Sequence, residues 1–137
     1  MSITASNKAA GTRFEKRLAE ILSQHGFWVH RLAQSKAGQP FDIIAVKNGK
    51  CFPIDCKDCA GSYFNVRRIE PNQRDAMLKW MDCGNGDSWF ALQTADKEIY
   101  MFSFSFLMAN LTTFSTYVQS AIRARAIPLE RWIEECG

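Results

Sequence analysis

The dipeptide Asn48-Gly49 limits the fold of this chain more tightly than any other feature of its sequence. It stands between "FDIIAV" (41 to 46) and "CFPIDCK" (51 to 57), two runs with strand-forming side chains, and it is the pair best suited to close a two-residue hairpin. Residues 41 to 58 therefore read as strand, tight turn and strand. Side chains alternate along the second arm, so Asp55 and Lys57 share one face while Ile54 and Cys56 take the other. The hairpin brings Asp42, near the start of the first arm, opposite the end of the second, where Asp55 lies. Two carboxylates about 4 Å apart repel by about 4 kcal/mol at an effective dielectric of about 20, so both stay ionised only with positive charge between them. Lys57 supplies part of that charge. A hard divalent cation fits better, because Mg²⁺ takes one or two carboxylates and keeps waters that a phosphate can replace.

Around the hairpin the periodicity is mixed. Phe14, Leu18, Ile21 and Leu22 recur at helical spacing within a helix expected from about Ser6 to His25, with Gly26 placed to end it. "FWVHRL" reads as a strand and "AQSKAGQP" as a loop, while Pro53, which has no N–H for a ladder, is expected at an edge-facing or early strand position. "CAGSYFNVRRIE" is a partly extended connection. Pro71 then opens a helix to about Met81, striped with Ala76, Met77, Trp80 and Met81. "CGNGD" is a turn, and "SWFALQ" and "EIYMFS" are strands separated by "TADK". The remaining third is helical in short pieces, broken at Pro128. The expectation is an α/β layered domain spanning 1–137, with a core over about 6–103 and C-terminal helices over about 104–137.

Composition of 47% hydrophobic and 23% charged residues is ordinary for a globular chain and argues against disorder. No apolar run approaches the ~18 residues of a membrane span, and "MSITASNKAAGTRF" lacks the apolar core of a signal peptide, so a cytoplasmic setting is expected. Five cysteines, an odd number, point to reduced thiols. Cys56 and Cys59 form a CxxC, but no second pair or His motif completes a zinc site, so Cys56 reads as a small buried strand residue.

Two more polar residues fall on faces expected to pack. Glu15 sits at the edge of the first helix's apolar stripe, and Gln73 lies three, four and seven residues before Ala76, Met77 and Trp80. Between Arg31 and Lys79 nine basic residues face five acids, so neutralising Asp42 and Asp55 with a cation would leave this stretch strongly electropositive. Singly, each residue has a plainer use: Asp42 as a turn cap, Asp55 and Lys57 as a solvated pair, Glu15 as a surface acid. Jointly they fall where one helix and one hairpin converge.

Pro40-Phe41-Asp42, twelve residues, then Asp55-Cys56-Lys57 resembles the PD-(D/E)xK nuclease motif, with one residue separating the usual Pro-Asp pair. Glu15 in "GTRFEKRLAEIL" is similar to the first-helix acid of many members, and "NQRDAM" to their glutamine-bearing helix. Within that superfamily the chain looks most like RecU-type and archaeal-type Holliday-junction resolvases over residues 11 to 103. The RecU stalk insertion is absent, which brings it nearer in size to archaeal-type resolvases and VRR-type nuclease domains.

The resemblance implies a restriction-endonuclease-like core (α-β-β-β-α-β) with a central mixed sheet flanked by helices. It implies Mg²⁺ or Mn²⁺ held by Asp42, Asp55, Glu15 and the carbonyl of Cys56, with Lys57 and Gln73 completing the catalytic set. Ser35, Lys36, Arg67, Arg68 and Arg74 would contact DNA backbone, and the expected substrate is a four-way junction cut by a homodimer of phage or prophage type. Flap, end or other DNA cleavage is the alternative, as is a nucleic-acid-binding domain without catalysis. Phe104, Phe106, Phe114 and Tyr117 would either pack internally or form the dimer face.

Overall fold

The computed structural model describes residues 3–33 and 39–136, with side chains from residue 11 onward. Ser35 and Lys36 lie outside the described residues. Helix α1 (Ile3–Gln24) ends as its glycine requires. Gly26 adopts φ 88°, and the N–H of Phe27 reaches back to the carbonyl of Leu22 at 3.1 Å, closing the helix with a left-handed C-terminal turn.

The hairpin is formed by β2 (Ile43–Lys47) and β3 (Lys50–Asp58). Asn48 and Gly49 both take positive φ, 52° and 76°, the signature of a turn whose twist matches its strands. Strand β1 (Trp28–Arg31) flanks β2. Beyond β3 come β5 (Trp89–Gln93), β6 (Ile99–Ser103) and the two-residue β8 (Ile127–Pro128), in the sheet order β1-β2-β3-β5-β6-β8. Among the described residues only the β3–β5 pairing is parallel. A parallel neighbour demands a crossover, and α2 (Pro71–Asp82) lies within it. Its first residue is the expected proline.

Pro53 is accommodated by register. The Ile54 carbonyl and the Cys56 N–H both turn toward Asp42, so the nitrogen of Pro53 turns to the opposite side. There β5 begins to pair only at Ile54, and no ladder bond is lost.

Alternation along the strands divides the core in two. Phe52, Ile54 and Ala91 join Phe14, Leu18 and Leu22 of α1 and Trp132 of α5 (Leu129–Cys136) on one face. Phe90 and Leu92 join Met77 of α2 on the other, along with Phe104 and Leu107 of α3 (Phe104–Ala109) and Ile122 of α4 (Gln119–Arg125). On this second face a small ribbon of β4 (Phe64–Asn65) and β7 (Thr116–Tyr117) closes over the sheet. Phe104 and Tyr117 are fully buried, and Phe106 and Phe114 pack against the same cluster. Of the two uses expected for these aromatics, the structure shows internal packing. The CxxC is split between the two faces: Cys56 of β3 packs on the α1 face, and Cys59, just past the end of that strand, on the α2 face. Among the described residues no helix is long and apolar enough to cross a membrane.

Candidate active site

Asp42 is fixed by backbone on both sides. Its N–H donates to the Ile54 carbonyl at 3.0 Å, and its own carbonyl accepts from the N–H of Leu32 at 2.9 Å, wedging it between the chain leaving β1 and strand β3. The carboxylate is fixed as well. Oδ2 accepts from the N–H of Cys56 at 2.8 Å, and Oδ1 from Nε2 of Gln39 at 3.1 Å.

Asp55 is only 1% exposed, because its register partner on β5 is Phe90 and α2 covers that face. One turn into α2, Gln73 points inward and donates Nε2 to Asp55 Oδ1 at 2.8 Å. Lys57, two residues along the same face, brings Nζ to 3.1 Å from Asp55 Oδ2, an ion contact without an aligned hydrogen bond. Burial pushes the Asp55 carboxyl up to about 7; Lys57 pulls it down, and the nearby Asp42 carboxylate adds to the rise. For Lys57, desolvation works against the ammonium, but the charge of Asp55 prevails and the group is held above its ordinary range. The hairpin thus gathers Asp42, Asp55 and Lys57 as its sequence implied.

Glu15 reaches the group from the opposite face of the sheet. Its Oε1 lies 3.5 Å from Nε of Arg31 on β1. Desolvation raises its pKa most, then the charge of Asp42, while Arg31 opposes both. Its electrostatic partner is Asp42, not Asp55, because α1 and α2 cover different faces. Among the described residues no three His, Cys, Asp or Glu side chains come together as a ready metal cage. The expected convergence of three acids is therefore seen as a close pair, Asp42 and Asp55, with Glu15 held aside by Arg31.

The donor set still fits a cation. Gln73 Oε1 and Gln39 Oε1 are buried without a hydrogen-bond donor, and Asp55 Oδ2 has only the Lys57 ammonium beside it; buried acceptors in surplus call for positive charge or water. Gln39 and Arg31 were not singled out by the motif. Gln39 had a signal in lying three residues before Asp42, whereas Arg31 acquires its role only through the β1–β2 pairing. Arg67 and Arg68, on a 3-10 turn (Val66–Arg68), and Arg74, on α2, are exposed beside this face.

A buried strand carboxylate with a lysine two residues on, a second aspartate pinned at the hairpin's mouth and a crossover helix bearing glutamine together define a PD-(D/E)xK-type nuclease fold. The chain belongs to the archaeal Holliday junction resolvase (Hjc) family, whose model matches residues 6–136. Among solved structures it is similar to that of Hjc from Archaeoglobus fulgidus, a Holliday junction resolvase from an archaeal hyperthermophile. The TM-score is 0.69 at 19% identity, covering 90% of this chain and 99% of the other, a likeness of fold. No curated protein matches the chain. Of the two resolvase types it resembles in sequence, the archaeal one is matched, and the RecU likeness is only approximate.

Proposed function

We propose that this chain is a divalent-metal-dependent endonuclease that cuts DNA four-way junctions as a homodimer. The observation that carries the reading is the pinned Asp42–Asp55 pair, with Lys57 at 3.1 Å from Asp55 and buried acceptor oxygens lacking donors around it. Asp42, Asp55 and the Cys56 carbonyl would hold Mg²⁺ or Mn²⁺, with Glu15 joining them on release from Arg31. Such an ion, when bound, polarises a phosphoryl oxygen and acidifies an attacking water.

The chain's own residues do the rest. Gln73 holds the Asp55 carboxylate in one orientation through its amide, as Gln39 holds Asp42. Lys57 stands where an ammonium would stabilise the charge that builds on the phosphorus in an in-line displacement. Exposed Arg67, Arg68 and Arg74, with Ser35 and Lys36, would contact backbone phosphates, which position DNA without reading sequence. Recognition by shape follows. Cutting two opposed strands of a junction with near two-fold symmetry requires two sites, which a C2 dimer provides.

The test is cleavage of a mobile four-way junction beside flap, single-stranded and linear duplex DNA, with Mg²⁺ or EDTA, alongside sedimentation of the free protein. Paired nicks in the junction alone, dependent on Mg²⁺ and lost in Asp55→Asn, are the expected result. Equal cutting of linear duplex, or unchanged cutting by Asp55→Asn, would overturn the proposal.

A further inference from the structure

Lys57 forms one wall of a second feature. Beside the carboxylates lies a half-open hollow of about 430 Å³ lined by Lys57, Ser62, Tyr63, Asn65 and Arg68 over Ile69. Its volume is in the range of about 300–1,000 Å³ that holds small organic ligands. Its chemistry is two cations, polar side chains and an aromatic ring.

Tyr63 is the odd member. It is 47% exposed, although the next residue, Phe64, which opens β4, is 5% exposed. Phe64 anchors the segment, its ring 5.4 Å from that of Phe90 and 6.5 Å from that of Phe102. From across the molecule Gln119 donates Nε2 to the carbonyls of Cys59 and Ser62, each at 2.7 Å. Asn65 Oδ1 accepts from the Arg67 N–H at 3.0 Å, capping the turn that carries Arg68. An exposed ring on so firmly tied a backbone is a platform held in place, and its neighbours are the cations a phosphodiester needs.

We propose that this hollow is a nucleotide subsite: it takes the nucleotide next to the scissile phosphate, with the base out of the duplex stack and laid on Tyr63 and the phosphate held by Arg68. Aromatic faces accept any base, so the subsite reads a loosened stack and not a sequence. At the branch point of a junction the stack is already interrupted, whereas continuous duplex must be opened first. This inference rests on the nuclease reading above and adds to it a structural basis for preferring branched DNA.

The experiment places 2-aminopurine beside the branch point of a junction and titrates it, in EDTA, with the wild-type chain, Tyr63→Ala and Tyr63→Phe. Wild type and Tyr63→Phe quench the probe. Tyr63→Ala leaves it bright and binds the junction about tenfold more weakly, with linear-duplex affinity and thermal midpoint unchanged. Quenching by Tyr63→Ala equal to wild type would overturn the subsite, as would its loss in Tyr63→Phe. Should wild type fail to cut or bind junctions, the proposed function falls separately. The same quenching comparison on a 2-aminopurine single strand then decides the subsite by itself.

Discussion

Replacing Asp55 with asparagine should make the metal-free protein more stable at neutral and alkaline pH while abolishing its chemistry. The carboxyl is buried at 1% exposure and titrates at about 7 instead of 3.8. Between those values the folded state keeps a proton that the unfolded chain has released. Its stabilising contribution is thus complete below about pH 4 and is lost as pH rises through 7. A shift of about three units at 1.36 kcal/mol each gives about 4 kcal/mol. Asparagine is neutral throughout and still offers an oxygen to Gln73 Nε2, so the variant escapes this loss. Lys57, at 36% side-chain exposure, can turn to water. Urea unfolding in EDTA at intervals from pH 4 to pH 8 measures the difference directly. Asp55→Asn should match wild type near pH 4 and exceed it by up to about 4 kcal/mol at pH 8. Adding Mg²⁺ at pH 8 should raise the midpoint of wild type, because a ligand of the folded state stabilises it, and leave the variant unmoved. A variant less stable than wild type at pH 8, or a difference independent of pH, would refute the reasoning.

Other perturbations test other parts of the molecule. Trp132 is fully buried, with its ring 5.8, 5.1 and 5.7 Å from those of Phe27, Phe52 and Trp89, so Trp132→Ala should cost about 3–5 kcal/mol in denaturant unfolding. Gln73→Leu removes the amide that orients Asp55, and single-turnover cleavage should fall about 10- to 100-fold with junction affinity retained. Gly49→Ala, at φ 76°, should lower stability by about 1–2 kcal/mol in the same unfolding assay. Replacing Arg67, Arg68 and Arg74 with glutamine should flatten the slope of log affinity against log salt by about 0.9 for each phosphate that is no longer neutralised, read by fluorescence anisotropy.

What was legible in the chain was whatever short-range physics dictates. Asn48-Gly49 closes one kind of turn, strand alternation puts Asp55 and Lys57 on one face, and Pro71 and Gly26 mark helix ends, all within a few residues of the signal. Interactions between distant segments were beyond that reach. Only the packed structure sent α1 and α2 to opposite faces, so that Gln73 meets Asp55 while Glu15 meets Arg31. Only it placed Gln39 against Asp42 and turned the aromatics of the C-terminal third inward. Burial likewise decided the charge of Asp55, since a carboxyl's desolvation is set by Phe90, Gln73 and α2 around it, none of them its neighbours in sequence.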